Sequence, residues 1–476
     1  MTQQSTFSLL IGGRLVGAES TTSPALDVLD PATEQLAGRV PDAGDAELQA
    51  AVDAAASAFP AWRDTPLEGR REVVRAIAGV LREHADELSA LLTREQGKPL
   101  AAAKGEINGA AAWLDAFAGL DYPAEELTET ETHRVRVRRV PLGVVAGIVP
   151  WNFPVNLMMW KVGPALLTGN TMIVKPSPYT PLTTLRIGEL LADVVPAGVL
   201  NTVSGGDSLG PKVSAHPGIA KIAFTGSTAT GSRVMASAAA HLARVTLELG
   251  GNDAAIVLPD VDVDEVAPKV FWTAFGNSGQ ICIAAKRIYV HEDIYDAFAA
   301  RFAETARAAV VGPGTREGVQ LGPVQNRAQY EKVVALIERT AASGAKFLVK
   351  GEIPEGPGYF IHPSVVDDPA DDSEIVTEEP FGPVVPLLRF RDTDEVVRRA
   401  NDSEYGLGGT VWGRDLAAAE AVAARIDTGT VWINEGQRPS PTLPFGGHKA
   451  SGIGTENGVD GMLEFTNTQV LSVRKG

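Results

Sequence analysis

One thiol in 476 residues sits in Phe275-Gly276-Asn277-Ser278-Gly279-Gln280-Ile281-Cys282-Ile283-Ala284-Ala285, with small residues on one side and apolar ones on the other. A thiolate is a strong nucleophile, so an activated Cys282 would support covalent catalysis. Taken alone, a buried Cys reads more often as a small core hydrophobe. Earlier in the chain, Glu248-Leu249-Gly250-Gly251 carries a carboxylate from a strand into a double-glycine turn. A partly buried Glu there would have a raised pKa and could act as a base near neutral pH. A Glu paired to a surface Lys is an equally good reading of those residues alone.

Five more stretches carry polar groups on stiff or glycine-rich backbone. Pro150-Trp151-Asn152-Phe153-Pro154 holds an Asn between two prolines, where its amide could stabilise an oxyanion or merely cap a turn. Val174-Lys175-Pro176-Ser177-Pro178 offers a cation and a hydroxyl suited to ribose or phosphate oxygens. Phe224-Thr225-Gly226-Ser227-Thr228-Ala229-Thr230-Gly231 runs from a strand into a helix, whose free N–H groups and dipole favour a pyrophosphate. It is neither G-x-G-x-x-G nor a P-loop. Glu379-Pro380-Phe381-Gly382-Pro383-Val384 and Pro444-Phe445-Gly446-Gly447-His448 are loops that could line a cleft or simply turn the chain. The 7 histidines form no metal-ligand spacing, so no metal is expected.

The elements between these stretches suggest how they are held. Residues 6–40 read as short strands and turns. An alanine-rich helix starts behind an Asp45 cap, amphipathic helices run from Pro66 to a stop at Gly97, and a further helix covers 101–120. From Gly143 onward, strands at 144–149, 172–174, 199–203, 219–224 and 244–248 alternate with helix-length segments, which predicts a parallel, doubly wound α/β sheet. A second set follows at 254–258, 288–290, 347–349, 410–412 and 430–433, with helices near 292–310 and 326–343. Ligands in such sheets bind at the carboxyl ends of strands, where Asn152, Lys175, the 224–231 turn and Glu248 fall.

Length predicts about two to four domains. A net charge of −17 weighs against nucleic acid or an anionic membrane as partner. A single Cys excludes an internal disulfide and fits a reducing, cytoplasmic setting. The apolar region 140–174 is broken by Pro141, Pro150, Pro154 and Pro164, so it reads as buried strands and turns and not as a membrane span. The period-two run His133-Arg134-Val135-Arg136-Val137-Arg138-Arg139 follows an acidic stretch and reads as a solvated edge strand or a subunit contact.

In their order, Asn152, Lys175, the 224–231 turn, Glu248, Cys282 and the 379–384 loop resemble the aldehyde dehydrogenase superfamily along essentially the whole chain. The Glu-Leu-Gly-Gly and Gly-Gln-Ile-Cys-Ile-Ala stretches form its most specific pair. The resemblance implies an NAD(P)-binding, Rossmann-like domain (1–122 and 142–250), a catalytic α/β domain (251–448), and an oligomerisation arm with a C-terminal strand (123–141 and 449–476). It also implies a homodimer or homotetramer. Cys282 would attack the aldehyde, Asn152 and the Cys282 N–H would hold the oxyanion, and Glu248 would activate water to hydrolyse the thioester. Lys161 matches a family lysine placed in a proton relay with that glutamate.

For the cofactor, NAD or NADP, the resemblance implies a wall from Val149, Pro150 and Trp151. Lys175 and Glu379 match ribose-contacting positions, with Ser177 and Pro178 near Lys175; Ser227, with Gly226 and Thr230, falls at the pyrophosphate, and Phe381 beside the nicotinamide ribose. Phe224, Thr225, Leu249, Gly250, Gly206, Gln329 and Lys332 are further cofactor-binding positions that the resemblance implies. Pro178 replaces a Glu that many NAD-preferring members carry, so NAD is expected with NADP use as well. Phe153, Leu157, Trp160, Ile281 and Ile283 would line an apolar substrate tunnel. Arg438 would either receive a substrate carboxylate or stand at the tunnel mouth. The alternatives are a CoA-acylating semialdehyde dehydrogenase, whose branch commonly lacks the water-activating glutamate present here as Glu248, and a catalytically silent scaffold.

Overall fold

The computed structural model describes residues 6–21, 24–123 and 125–476. Residues 1–5, 22, 23 and 124 of the ranges predicted above lie outside these. Two large sheets organise the chain. The first has eight strands, in the order Arg14–Val16, Leu9–Ile11, Leu200–Thr202, Thr171–Lys175, Val144–Ile148, Lys221–Thr225, Arg244–Glu248 and Gly452–Ile453. Its five central strands are parallel, and both ends are closed by antiparallel pairs. The second has seven, in the order Lys346–Val349, Ser364–Asp367, Val384–Phe390, Ala285–His291, Asp253–Val257, Gly408–Trp412 and Thr430–Ile433. All its pairs are parallel except the first. This is the predicted α/β architecture.

Helix Pro154–Leu167 is the main wedge beneath the first sheet. Pro154 fits its first turn because the missing N–H would have had no helical partner. Every residue of the helix except Asn156 is buried, so one side packs on helix Leu100–Gly119 and another on the sheet. Such a helix has no face to spare for a charge, which makes the fully buried Lys161 conspicuous.

Three expectations shift. Asp45 is the first residue of helix Asp45–Asp64 and not its cap; Gly44 takes the cap, and its N–H donates to Glu47 Oε2 at 2.7 Å. Strands Ser364–Asp367 and Val384–Phe390, both inside the second sheet, are absent from the strands read off the sequence. The second contains Pro386, which pairs with Val366 although a proline argues against an interior strand. The stretch 449–476 is divided. Only Thr466–Arg474 pairs with strand His133–Pro141, which also pairs with Glu125–Glu129, while Gly452–Ile453 closes the first sheet.

Candidate active site

Register brings the predicted residues to one edge. Ile148 lies beside Lys175 and Phe224, and Thr225 beside Glu248, so the chain leaves four parallel strands at the same end. Facing that edge is the start of the second sheet, where Asp253 pairs with Ala285 three residues after Cys282. Two hollows meet between the sheets. One, of about 170 Å³, is lined by Pro150, Trp151, Ser227, Gln329, Lys332, Glu379 and Phe381, together with Gly226, Leu249 and Gly250. The other, of about 240 Å³, is lined mainly by Phe153, Leu157, Trp160, Ile281, Ile283 and Phe445. Asn152, Thr225 and Cys282 belong to both.

The loop carrying Cys282 is held in an unusual backbone. Asn277 and Ser278 have φ of 50° and 57°, and Gly279 follows at 74°. Such left-handed residues persist only where surrounding contacts fix them. Here Ser278 Oγ donates to the Gly322 carbonyl at 2.7 Å, and Gln280 Oε1 accepts from the Gln325 N–H at 2.9 Å. Asn152 Nδ2 donates one hydrogen to the Gln280 carbonyl at 2.9 Å. An amide carries two, so the other remains for an oxygen beside Cys282.

The double glycine after Glu248 is now explained by close approach. A Cβ on Gly250 would lie 2.4 Å from Glu379 Oε2, and one on Gly251 would lie 2.7 Å from the Cys282 carbonyl oxygen and 2.8 Å from Asp253 Oδ1. Any side chain would push the Cys282 loop and the Glu379 carboxylate away from the first sheet.

Burial dominates the electrostatics. Cys282 as a residue is half-buried, yet burial of its thiol pushes it up to about 12; Lys286 opposes this, while Asp253, Glu379 and Glu248 add to it. The thiol is therefore protonated at neutral pH in this state, and more deeply so than its ordinary value would suggest. Glu248 is raised well above the carboxylate range by burial first and by repulsion from Glu456 second, with Lys161 opposing. Its two oxygens find no hydrogen-bond partner among the described residues. Lys161 does not bond Glu248. Its Nζ donates to Glu456 Oε1 at 2.6 Å and to Thr225 Oγ1 at 2.7 Å. Paired backbone hydrogen bonds of 2.7 Å in each direction tie Glu456 to Phe445, a wall of the apolar hollow.

The polar hollow suits a dinucleotide. Ser227 caps helix Thr228–Ala239, accepting from the Thr230 N–H, and leaves the first N–H groups of the helix to an anion. Glu379 offers a carboxylate in the cradle that Gly250 leaves open. Phe381 packs edge-on against Trp151 at 5.3 Å. Lys332 donates to the Glu379 carbonyl, and Gln329 to the carbonyls of Pro380 and Phe381. Val149, Lys175, Ser177, Pro178, Gly206, Phe224 and Thr230 are not in its wall. Lys175 and Gly206 lie farther along the sheet edge, where the Gly206 N–H donates to Asp42 Oδ1 at 2.9 Å. Burial lowers Lys175 to about 8 against the pull of Asp207 and Asp42.

The sequence model described as "Aldehyde dehydrogenase family" matches residues 18–471. A probable aldehyde dehydrogenase of a Pseudomonas species is 43% identical over 478 residues, covering 100% of this chain and 96% of its own. The chain belongs to the aldehyde dehydrogenase family. An NADP-dependent enzyme of E. coli superposes with a TM-score of 0.94 at 36% identity, covering 98% of each chain. Betaine aldehyde dehydrogenase of Staphylococcus aureus, solved with NAD+, superposes with a TM-score of 0.94 at 32% identity, covering 98% of this chain and 94% of that one. As an aldehyde dehydrogenase, the chain is an oxidoreductase acting on aldehydes.

Within this aldehyde dehydrogenase, Arg438 stands apart from the other predicted substrate residues. Its side chain is 80% exposed and reaches Glu435 at 3.5 Å, and its carbonyl accepts from Trp432 Nε1. Its neighbours Gln437 and Pro439 line the apolar hollow instead. Four site residues escaped sequence reasoning. Glu456 and Lys286 are one of them each; the others are the buried pair Lys98 and Glu106. Lys98 Nζ bonds Glu106 Oε2 at 2.6 Å and the Asn152 carbonyl at 2.9 Å, and lies over the Phe153 ring. Glu106 Oε1 accepts from the N–H groups of Val155 and Asn156. The pair thus fixes the Asn152 loop from behind. Nothing in the spacing of Gly97-Lys98-Pro99 announces this. A larger polar hollow of about 580 Å³ around Arg287, Arg399 and Lys449 shares no residue with the other two. Its cations are already bonded to carbonyls or carboxylates.

Proposed function

We propose that the chain oxidises an uncharged, apolar aldehyde to its carboxylic acid, with a nicotinamide dinucleotide as hydride acceptor and water as the final nucleophile. The observation that carries this reading is the position of Cys282 in the wall of both hollows, with Glu248 in the wall of the apolar one. Cys282 gives up its thiol proton to solvent, and Sγ bonds the carbonyl carbon as the π pair moves to oxygen. The oxygen takes up negative charge between the free Asn152 amide hydrogen and the Cys282 N–H, each donor worth about 3 kcal/mol. A bound dinucleotide would supply the hydride acceptor, and loss of the hydride from the former aldehyde carbon would leave the acyl group on Cys282 Sγ as a thioester. Glu248 then takes a proton from water as the water attacks the acyl carbon. Burial raises the pKa of Glu248, as suits a base, and Lys161, which favours its charged form, is bonded to Glu456.

The rival reading, transfer of the acyl group to CoA, leaves Glu248 without a task. NADH formation from an aldehyde and NAD+ that proceeds equally with and without CoA is the expected result. Strict dependence on CoA would overturn the hydrolytic reading.

For the cofactor, NAD is favoured and NADP accepted. Pro178 leaves no carboxylate three residues after Lys175, whereas Asp207 and Asp42 beside Lys175 oppose an added phosphate. Rates with each cofactor at matched concentration check this, and strict rejection of NADP would count against it. The apolar hollow supports an aromatic or aliphatic aldehyde. The three-stranded arm exposes Leu127, Val470 and Val473, which supports a homodimer or homotetramer, read here as cytoplasmic. Light scattering that returned the monomer mass would contradict the assembly.

A further inference from the structure

Lys286 lies four residues after the nucleophile, and its side chain is 2% exposed. Its Nζ donates to the Cys282 carbonyl oxygen at 2.6 Å and lies 3.2 Å from Glu379 Oε1. Glu379 Oε1 also accepts from the Gly251 N–H at 3.2 Å, next to the glycine cradle that receives the Cys282 carbonyl. One ammonium thus bridges the loop of the nucleophile and a carboxylate in the wall of the polar hollow. The charged groups that face the thiol are Lys286, Asp253, Glu379 and Glu248, and of these only Lys286 favours the thiolate. Glu379 works against it, both directly and by compensating the ammonium.

We propose that Lys286 is a positioning residue that transmits occupancy of the cofactor hollow to Cys282: when a ribose diol engages the Glu379 carboxylate, the ammonium is left less compensated and acts more fully on the thiol it already clamps through the Cys282 carbonyl. This rests on Cys282 being the nucleophile. In consequence the thiol would be poorly reactive while the polar hollow is empty and would be activated when the dinucleotide arrives, before any aldehyde binds.

Because Cys282 is the only cysteine, alkylation by iodoacetamide, in which sulfur bonds carbon and iodide and the thiol proton leave, reads this one site. The rate is followed against pH by intact mass, with and without NAD+ and with no aldehyde present. In the native enzyme NAD+ is expected to raise the rate at pH 8 about tenfold, the effect of roughly one unit of thiol pKa. Lys286→Met should slow alkylation about tenfold without NAD+ and abolish the response to it. Lys286→Arg should retain most of both. Glu379→Gln should speed alkylation without NAD+ and remove the response. Opposite signs in Lys286→Met and Glu379→Gln cannot come from a shared folding defect. Changes of the same sign in those two variants, or an unaltered NAD+ response in Lys286→Met, would overturn the proposal. Full turnover after complete alkylation would instead overturn the nucleophile itself.

Discussion

On one side of Cys282 lie Ser227, Gln329, Lys332 and Glu379; on the other lie Phe153, Leu157, Trp160, Ile283 and Phe445. The polar side is assembled from strand ends, a helix start and backbone carbonyls, so its shape follows from the sheets. The apolar side is assembled from side chains on one buried helix and two loops, and its aromatic rings set its form. Trp160 stacks on Trp113 at 5.5 Å and meets Phe445 edge-on at 5.6 Å. Backbone geometry tolerates many sequences, whereas a cavity of side chains changes with each substitution. Changes on the apolar side should therefore alter which aldehyde is used, and changes at the shared residues should alter whether any is used.

The sharpest division is at Asn152. Asn152→Ala removes the side-chain amide common to both hollows and should lower kcat by about 10²–10³-fold for every aldehyde tested. Steady-state kinetics over several aldehydes check this; a loss confined to KM would place Asn152 in binding alone. Trp160→Ala tests the apolar side. It should raise KM for an aromatic aldehyde about tenfold, as expected for one or two kcal/mol of lost apolar contact, and leave KM for acetaldehyde little changed. Equal effects on both would remove the distinction between the two walls.

Glu456→Gln tests the link behind them. A carboxylate that repels the charge of Glu248 is removed, so Glu248 should ionise at lower pH. As the base works only when deprotonated, the acidic limb of the pH–rate profile for thioester hydrolysis should move to lower pH. A move upward would contradict the repulsion. The smallest effect is expected at Arg438, whose side chain reaches only Glu435. Arg438→Ala should change the ratio of kcat/KM for succinate semialdehyde and a neutral aldehyde less than about twofold, within the range of exposed charges.

The polar side was legible in the sequence because strand ends, a capped helix start and a double glycine leave local marks. Glu248, Cys282 and Asn152 fall at such places, and the family pattern ties them together. Lys98, Glu106, Lys286 and Glu456 left none, since each acts through a partner distant in sequence: Lys98 on the Asn152 carbonyl, Lys286 on Glu379, Glu456 on Lys161. The height to which the thiol is pushed was also out of reach, because burial and the charges around it exist only after folding. Strand Val384–Phe390 was hidden by Pro386, tolerated at a position that local rules disfavour.

Glu248→Gln keeps the side chain's size and removes its capacity as a base. Mixed with an apolar aldehyde and NAD+ and quenched rapidly, this variant should yield about one NADH per subunit and then stall. The intact protein should carry a single acyl group, located on Cys282 by peptide mapping. Steady turnover without a trapped acyl group, or an acyl group on any other residue, would contradict the assignment of Cys282 and Glu248 as nucleophile and base.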